Sequence, residues 1–143
     1  MFSEIGANNK QGEICIRLAD LDNDENHFQS AIHWYTKALD CFRELPKSED
    51  KMYCFGELGS LYYMTEKIEE SIECSMRAVE LASQLQDFSN QVTSLLTLCS
   101  AQCIKDKVEA KKTLATAKAL AKTNGIEDDR FPTLDAKLAN TRR

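Results

Sequence analysis

Apolar and polar positions alternate with a helical period through the centre of the chain. Within residues 55–62, three large apolar residues share one face at i, i+3 and i+7, and a glycine lies beside them. A short polar turn follows, and residues 71–78 then place small side chains along one stripe. The large residues are Phe55, Leu58 and Tyr62, the glycine is Gly59, and the small residues are Ser71, Ser75 and Ala78. This pattern predicts a helical hairpin in which Gly59 lets the second helix approach closely.

Two weaker copies of this pattern flank the central one. A single hairpin cannot bury its outer faces, so it is expected to stack against neighbours. In the first copy the matching positions hold Cys15, Leu18 and Ala19, then Ala31, Tyr35 and Ala38. In the third copy they hold Leu95, Leu98 and Cys99, then Ala110, Leu114 and Ala117. The chain is therefore predicted to be all-α, with three stacked helical hairpins in one domain over residues 1–143.

Turn and capping signals set the expected boundaries. Repeat 1 is expected at about residues 11–46, repeat 2 at about 49–86 and repeat 3 at about 90–123. Ser48 and the two acidic residues after it are expected to cap a helix, and Asn124-Gly125 is a strong helix stop. Leu134 and Leu138 share one face of a short amphipathic helix, which predicts a C-terminal capping helix at about residues 131–142. Residues 1–9 lack a clear period and are expected either to fray or to extend the first helix.

The central motif resembles the signature of the tetratricopeptide repeat (TPR) family, W-x2-L-G-x2-Y followed by A-x3-F. Phe55 stands at the tryptophan position, and Ser71 and Ser75 stand at the alanine and phenylalanine positions. The resemblance covers about residues 11–123 and implies a right-handed α-solenoid that binds other proteins. The anchors Ala31, Ser71 and Ala110 are 40 and 39 residues apart, whereas the usual period is about 34. The chain therefore resembles the long-repeat branch of the family, which includes Pins-like polarity adaptors, kinesin light chains, tonsoku-like proteins and Rap-type peptide sensors of bacteria.

The distribution of charge narrows the class of partner. Residues 1–103 carry 8 Lys+Arg against 17 Asp+Glu, a balance of −9, and residues 104–143 carry 10 against 6, a balance of +4. One interpretation is a solvated acidic body with a lysine-rich terminal helix; the other is an acidic body that attracts a partner with basic residues. Duplex nucleic acid is disfavoured as the main partner. With no secretion signal and no apolar run long enough to span a membrane, a cytoplasmic or nuclear protein is expected.

Candidate catalytic and metal-binding residues are sparse. The sequence contains no Gly-rich phosphate loop, nucleophile elbow or HExxH motif. The six cysteines are spread through helical patterns, which predicts reduced core thiols, and Cys99 with Cys103 lacks further ligands for a metal site. His27 and His33 are six residues apart and do not share a helix face. We therefore expect a protein without enzymatic activity, metal or cofactor.

The resemblance implies that the first helix of each hairpin lines a concave groove. The groove residues expected from the family's frame are Glu13, Ile16, Asp20 and Asn23 in repeat 1; Tyr53, Glu57, Ser60, Tyr63 and the adjacent Met64 in repeat 2; and Thr93, Leu96, Thr97 and Ser100 in repeat 3. This mixture of apolar and hydrogen-bonding side chains suits an extended or helical peptide segment. The alternative is that Tyr53 and Tyr63 only cover neighbouring helices and bind nothing.

One family function conflicts with these residues. The co-chaperone branch grips acidic chaperone C-terminal tails with lysine, asparagine and arginine, and the matching positions here hold Ile16, Asp20, Glu57, Thr93 and Thr97. None is basic, and an acidic tail would be repelled by Asp20 and Glu57. Three hypotheses follow: an adaptor that binds a protein or peptide with basic residues in an acidic groove, a structural or self-assembling segment of a larger repeat array, and a sensor of a small regulatory peptide.

Overall fold

Seven helices account for nearly all of the described chain. The structure is a computed structural model that describes the backbone of residues 2–139 and the side chains of residues 4–139. The helices are α1 (Phe2–Asp24), α2 (Phe28–Phe42), α3 (Ser48–Met64), α4 (Ile68–Gln84), α5 (Phe88–Lys105), α6 (Lys107–Asn124) and α7 (Arg130–Ala139). The prediction of an all-α chain is confirmed over these residues. None of these helices is both long and apolar enough to cross a membrane.

Consecutive helices pack against each other in pairs. Extensive contacts join α1 with α2, α3 with α4, and α5 with α6, and the short connections make each pair an antiparallel hairpin. α4 also packs closely on α5, whereas α2 packs less extensively on α3. α7 lies against both α5 and α6 and buries Leu134 and Leu138 there. Residues 140–142 of the predicted cap lie outside the described residues.

The central hairpin is held by a contact between small residues. A Cβ atom on Gly59 would lie only 2.5 Å from the Ser75 Oγ, so the two helices meet more closely here than an alanine would allow. The Ser71 hydroxyl donates a 2.7 Å hydrogen bond to the Gly59 carbonyl oxygen. Ser71 and Ser75 are fully buried. The predicted close approach at Gly59 is therefore confirmed.

The apolar core is divided along the chain. One cluster is built by α1, α2 and α3, with Tyr35, Phe42 and Leu61 fully buried within it. A second is built by α5, α6 and α7 around Leu96 and Leu114. Between them lies a small third cluster on α3 and α4. The contact between small residues of α3 and α4 thus separates two larger cores.

Several helix ends differ from their expected positions. α1 begins at Phe2, so residues 2–9 extend the first helix. The expected cap at Ser48 is wrong: Ser48 is already helical, Lys47 precedes it, and no side chain caps this end of α3. Asp106 instead caps α6, accepting hydrogen bonds from the backbone N–H groups of Val108 and Glu109. The stop at Asn124-Gly125 is confirmed, because α6 ends there and Gly125 adopts a left-handed φ of 63°.

Candidate partner-binding site

Three helices bring a group of acidic and tyrosine side chains together near the α1–α3 contact. The Asp20 carboxylate of α1 accepts hydrogen bonds from the Tyr35 hydroxyl of α2 and, at 2.7 Å, from the Tyr53 hydroxyl of α3. The Asn23 side-chain amide donates a 3.2 Å hydrogen bond to the Glu57 carboxylate of α3. We call this group the acidic cluster, and it comprises Asp20, Asn23, Asp24, Tyr35, Tyr53 and Glu57. Four of the expected groove residues therefore meet in one place.

The environment of the cluster disfavours further negative charge. Burial, followed by the nearby charges of Asp20 and Asp24, raises the pKa of Glu57 above its ordinary value. Burial and the hydrogen bond to Asp20 raise the pKa of Tyr35 and of Tyr53, so both tyrosines remain neutral hydroxyl donors. Neutral hydrogen-bond donors contact Asp20 and Glu57 and relieve part of the repulsion among the three carboxylates of the site.

Basic side chains do not compensate this charge. Within residues 4–139, no lysine, arginine or histidine forms an ion pair with Asp20, Asp24 or Glu57. Such pairs do occur elsewhere on the protein, as between Lys105 and Glu69. Tyr53 is 41% exposed, so one edge of the cluster is open to solvent. A cation could therefore reach the carboxylates from outside.

The remaining expected residues of repeats 1 and 2 lie around this cluster with varied exposure. Ile16 is half-buried and packs against the apolar core of α1–α3. Glu13 is also half-buried and lines a surface groove with other α1 residues. On α3, Ser60 and Tyr63 are half-buried, and Met64 is exposed at the helix end. Ile16 therefore mainly packs on the core and offers little of its side chain to a partner.

The expected residues of repeat 3 do not form a comparable site. Leu96 and Thr97 are buried, so the expectation that they face outward is wrong. α5 has neighbours on several sides, because α4, α6 and α7 all pack on it. The Thr97 hydroxyl donates to the Thr93 carbonyl oxygen, and the Ser100 hydroxyl donates to the Leu96 carbonyl oxygen. Thr93 remains exposed, but the carboxylates of the acidic cluster have no counterpart on α5.

Two important contacts were missed by the sequence analysis. Tyr35 was expected only as an inner packing residue, yet its hydroxyl bonds Asp20; a buried tyrosine needs a polar partner, and this requirement was the available signal. Arg130 was not singled out at all. Its guanidinium lies 3.4 Å from the Thr97 hydroxyl and pairs with Asp128, whose pKa it holds below the usual range. Nothing in the periodic pattern places the start of α7 beside α5.

A second concave feature lies beside α3 and α4. This cavity of about 250 Å³ has Phe55 and Tyr62 among its lining residues, together with Glu70, Glu73, Cys74 and Arg77. The Arg77 guanidinium lies 5.2 Å from the centre of the Phe55 ring, where a cation–π interaction is favourable. Phe55 and Tyr62 are thus half-buried and not enclosed by the hairpin. Because Arg77 already occupies the ring face, the chain itself supplies the cation here.

One group of candidate metal ligands and the cysteines add no further functional residue to the site. Asp22, Glu25 and His27 place ligand atoms within 4.8 Å of one another at the end of α1, an arrangement that exposed acidic groups often adopt without a metal. The six cysteines are free thiols, and burial raises the pKa of Cys54 and of Cys99 to about 12.

A comparison of the chain with protein-family models and with curated protein sequences finds no match.

Proposed function

We propose that this chain is a protein-binding module that holds a lysine- or arginine-bearing segment at the acidic cluster. In this proposal its hairpins form a right-handed α-solenoid of the TPR type, with α7 as the cap, and the module acts as a cytoplasmic or nuclear adaptor without catalysis or cofactor. The repeated architecture is supported by the anchors Ala31, Ser71 and Ala110, which recur along the second helices and are all fully buried.

The observation that carries the proposal is the uncompensated negative charge of the cluster. Asp20, Asp24 and Glu57 lie close enough to interact, and among the described residues no basic side chain pairs with them. A lysine ammonium or arginine guanidinium from a partner would supply the missing charge and lower the pKa of Glu57. Hydrogen bonds between charged groups are the stronger kind, about 1.5–3 kcal/mol each.

Tyr53 gives the site a second kind of contact. Its ring packs edge-on against the Tyr35 ring with 6.1 Å between the centroids, and its hydroxyl is held by Asp20. The half-exposed ring therefore has a fixed orientation before any partner arrives, and a fixed aromatic surface loses little conformational entropy on binding. An apolar or aliphatic side chain next to the partner's basic residue would pack on this ring.

The proposal predicts both the composition of the ligand and its dependence on salt. Peptides selected from a random-sequence library should be enriched in lysine and arginine, and higher ionic strength should weaken their binding. Glu57→Gln should weaken binding by about tenfold, which corresponds to about 1.4 kcal/mol. Fluorescence anisotropy with a labelled selected peptide measures the dissociation constant. The matched control is Glu80→Gln, because Glu80 is an exposed acid on α4, away from the cluster.

Two results would contradict the proposal. One is a set of selected peptides with no excess of basic residues. The other is a Glu57→Gln dissociation constant equal to that of the wild type. Circular dichroism of Glu57→Gln separates lost binding from lost folding. Tyr53→Phe tests the hydrogen bond to Asp20, since it keeps the aromatic ring and removes only the hydroxyl.

A further inference from the structure

α1 exposes an apolar stripe on the side that faces away from α2. Ile14, Leu18 and Leu21 follow one another at i, i+4 and i+7, so they lie on a single face of the helix. Their exposed fractions are 54%, 37% and 57%. Leu18 was expected to match Leu58, which is almost completely buried. The same position in the repeat is therefore covered in α3 and open in α1.

The covered counterparts show what kind of object fits this stripe. Moving forty residues along the chain leads from the α1 stripe to Cys54, Leu58 and Leu61 on α3, and forty more lead to Ser94, Leu98 and Ala101 on α5. All six of these residues are buried. The preceding helix supplies the cover in each case, because α2 packs on α3 and α4 packs on α5. The α1 stripe is thus the one copy of a helix-packing surface that no described helix covers.

The charges along α1 indicate the orientation of an additional helix. Lys10 is exposed in the N-terminal half of α1, whereas Asp24 is exposed at its C-terminal end and Glu25 directly after it. A second α1 in antiparallel orientation places Lys10 of each helix against the acidic end of the other. Parallel pairing would place like charges together, which is unfavourable. We propose that the α1 stripe is the interface of a homodimer in which the α1 helices of two copies pack antiparallel.

The shape of the stripe supports the same arrangement. Lys10, Glu13, Ile14 and Arg17 line a surface groove of about 300 Å³. Their spacing of i, i+3, i+4 and i+7 is that of the four residues that receive a side chain in knobs-into-holes packing. Leu21 of the second copy fits this groove when the two-fold axis passes close to Leu18, with the exposed Arg17 side chains of the two copies next to each other beside the axis. Lys10 then faces Glu25 of the second copy.

The size of the stripe sets the strength of the dimer. Three partly exposed aliphatic side chains bury much less than the roughly 800 Å² per partner of a standard stable interface. The dimer is therefore reversible and dissociates on dilution. α7 buries Leu134 and Leu138 against the core of α5 and α6, so these two leucines do not form a second exposed stripe like that of α1.

Sedimentation equilibrium of the whole chain, from micromolar to near-millimolar concentration, tests the proposal. The wild type should change from monomer to dimer over this range, and Leu21→Glu should weaken the dimer by about tenfold or more. The control is Ile104→Glu, because Ile104 is 63% exposed on α5 and outside the stripe. Circular dichroism establishes that each variant is folded. A wild type that stays monomeric throughout, or an equal loss in Ile104→Glu, would overturn the proposal.

Charge reversal tests the orientation independently of the apolar contact. Lys10→Glu and Glu25→Lys should each weaken the homodimer by about threefold to tenfold, because each places like charges opposite one another twice. A mixture of the two variants should restore wild-type affinity as a heterodimer. An unchanged dissociation constant for the Lys10→Glu dimer would exclude the antiparallel arrangement. In parallel pairing, residue 10 of one copy faces residue 10 of the other. The substitution would then replace a lysine–lysine pair by a glutamate–glutamate pair and leave the repulsion unchanged. A helix from a different protein as the natural occupant would leave the wild type monomeric, which is the overturning result.

Discussion

The contact between Gly59 and Ser75 yields a quantitative prediction about stability. In Gly59→Ala, the new Cβ would lie 2.5 Å from the Ser75 Oγ, but 3.4 Å and 3.5 Å from the Ser75 backbone nitrogen and Cα. The latter two distances are ordinary or slightly tight contacts. The Ser75 hydroxyl is therefore the only serious obstacle to a methyl group at position 59.

The net effect of Gly59→Ala is a difference between two opposing terms. Replacing glycine by alanine inside a helix stabilises it by up to about 1 kcal/mol. Overpacking a tight contact destabilises the fold by about 1–3 kcal/mol. We therefore expect Gly59→Ala to lower the free energy of unfolding by up to about 2 kcal/mol in the presence of Ser75.

Ser75→Ala should have the opposite effect. The Ser75 Oγ is buried and has no hydrogen-bond partner among the described residues. Because a buried unsatisfied hydroxyl costs about 1–3 kcal/mol, its removal should raise the free energy of unfolding by about 1 kcal/mol. With the hydroxyl gone, Gly59→Ala should add up to about 1 kcal/mol more through helix propensity. Whether Gly59→Ala lowers or raises the free energy of unfolding thus depends on the side chain at position 75.

Urea denaturation of the four proteins in this double-mutant cycle measures the coupling. Far-UV circular dichroism and the fluorescence of Trp34, the single tryptophan, provide two independent probes. We expect a coupling energy of about 1–3 kcal/mol between the two positions. If Gly59→Ala loses the same stability in the Ser75→Ala background as in the wild type, the hydroxyl is not the obstacle and the reasoning fails.

Three further predictions concern hydrogen bonds and charges. Ser71→Ala should lower the free energy of unfolding by about 1 kcal/mol, because the hydroxyl bonds the Gly59 carbonyl; a gain in the same urea titration would contradict this. Glu57→Gln should raise stability at neutral pH, because burial and nearby aspartates raise the pKa of Glu57 above 4.5. The wild type should recover this stability as the pH falls through the raised pKa, and a difference that persists below pH 4.5 would count against the mechanism. Asp128→Asn should lower the melting temperature, because the hydrogen bond from Arg130 holds the pKa of Asp128 below 3.8; this stabilisation is present above pH 3.8 and lost as the pH falls through the lowered pKa, so melting curves should converge in strong acid.

Local signals in the sequence located the end of α6 and the buried face of α7 but misplaced the start of α3. Gly125 marks the end of α6 because a left-handed φ favours glycine, and this preference is visible in the sequence. Leu134 and Leu138 identify the buried face of α7 because they lie one turn apart. The prediction that Ser48 caps α3 was wrong because a residue that caps well can also be the first residue of a helix. The path of the preceding chain decides between these two roles.

The candidate site depended on information that the sequence does not carry. From the sequence, Asp20 and Glu57 could each be assigned to the groove-lining face of the first helix in its repeat. That Asp20 accepts hydrogen bonds from tyrosines on two other helices depends on how those helices are placed relative to one another. The prediction that Thr97 is exposed was wrong for a similar reason. The start of α7 lies against α5 and contacts Thr97, so a position that is exposed in one repeat is buried in another.

The small residues between α3 and α4 also bear on how the molecule can deform. Short side chains at Gly59, Ser71 and Ser75 bring the two helix backbones close together, and the hydrogen bond from Ser71 to the Gly59 carbonyl holds them in register. By contrast, α2 packs less extensively on α3 than α4 does. Bending is therefore expected between the first hairpin and the second, while the second hairpin itself stays rigid. Asp20 lies on α1, whereas Tyr53 and Glu57 lie on α3, so such bending changes the distances between the side chains of the acidic cluster.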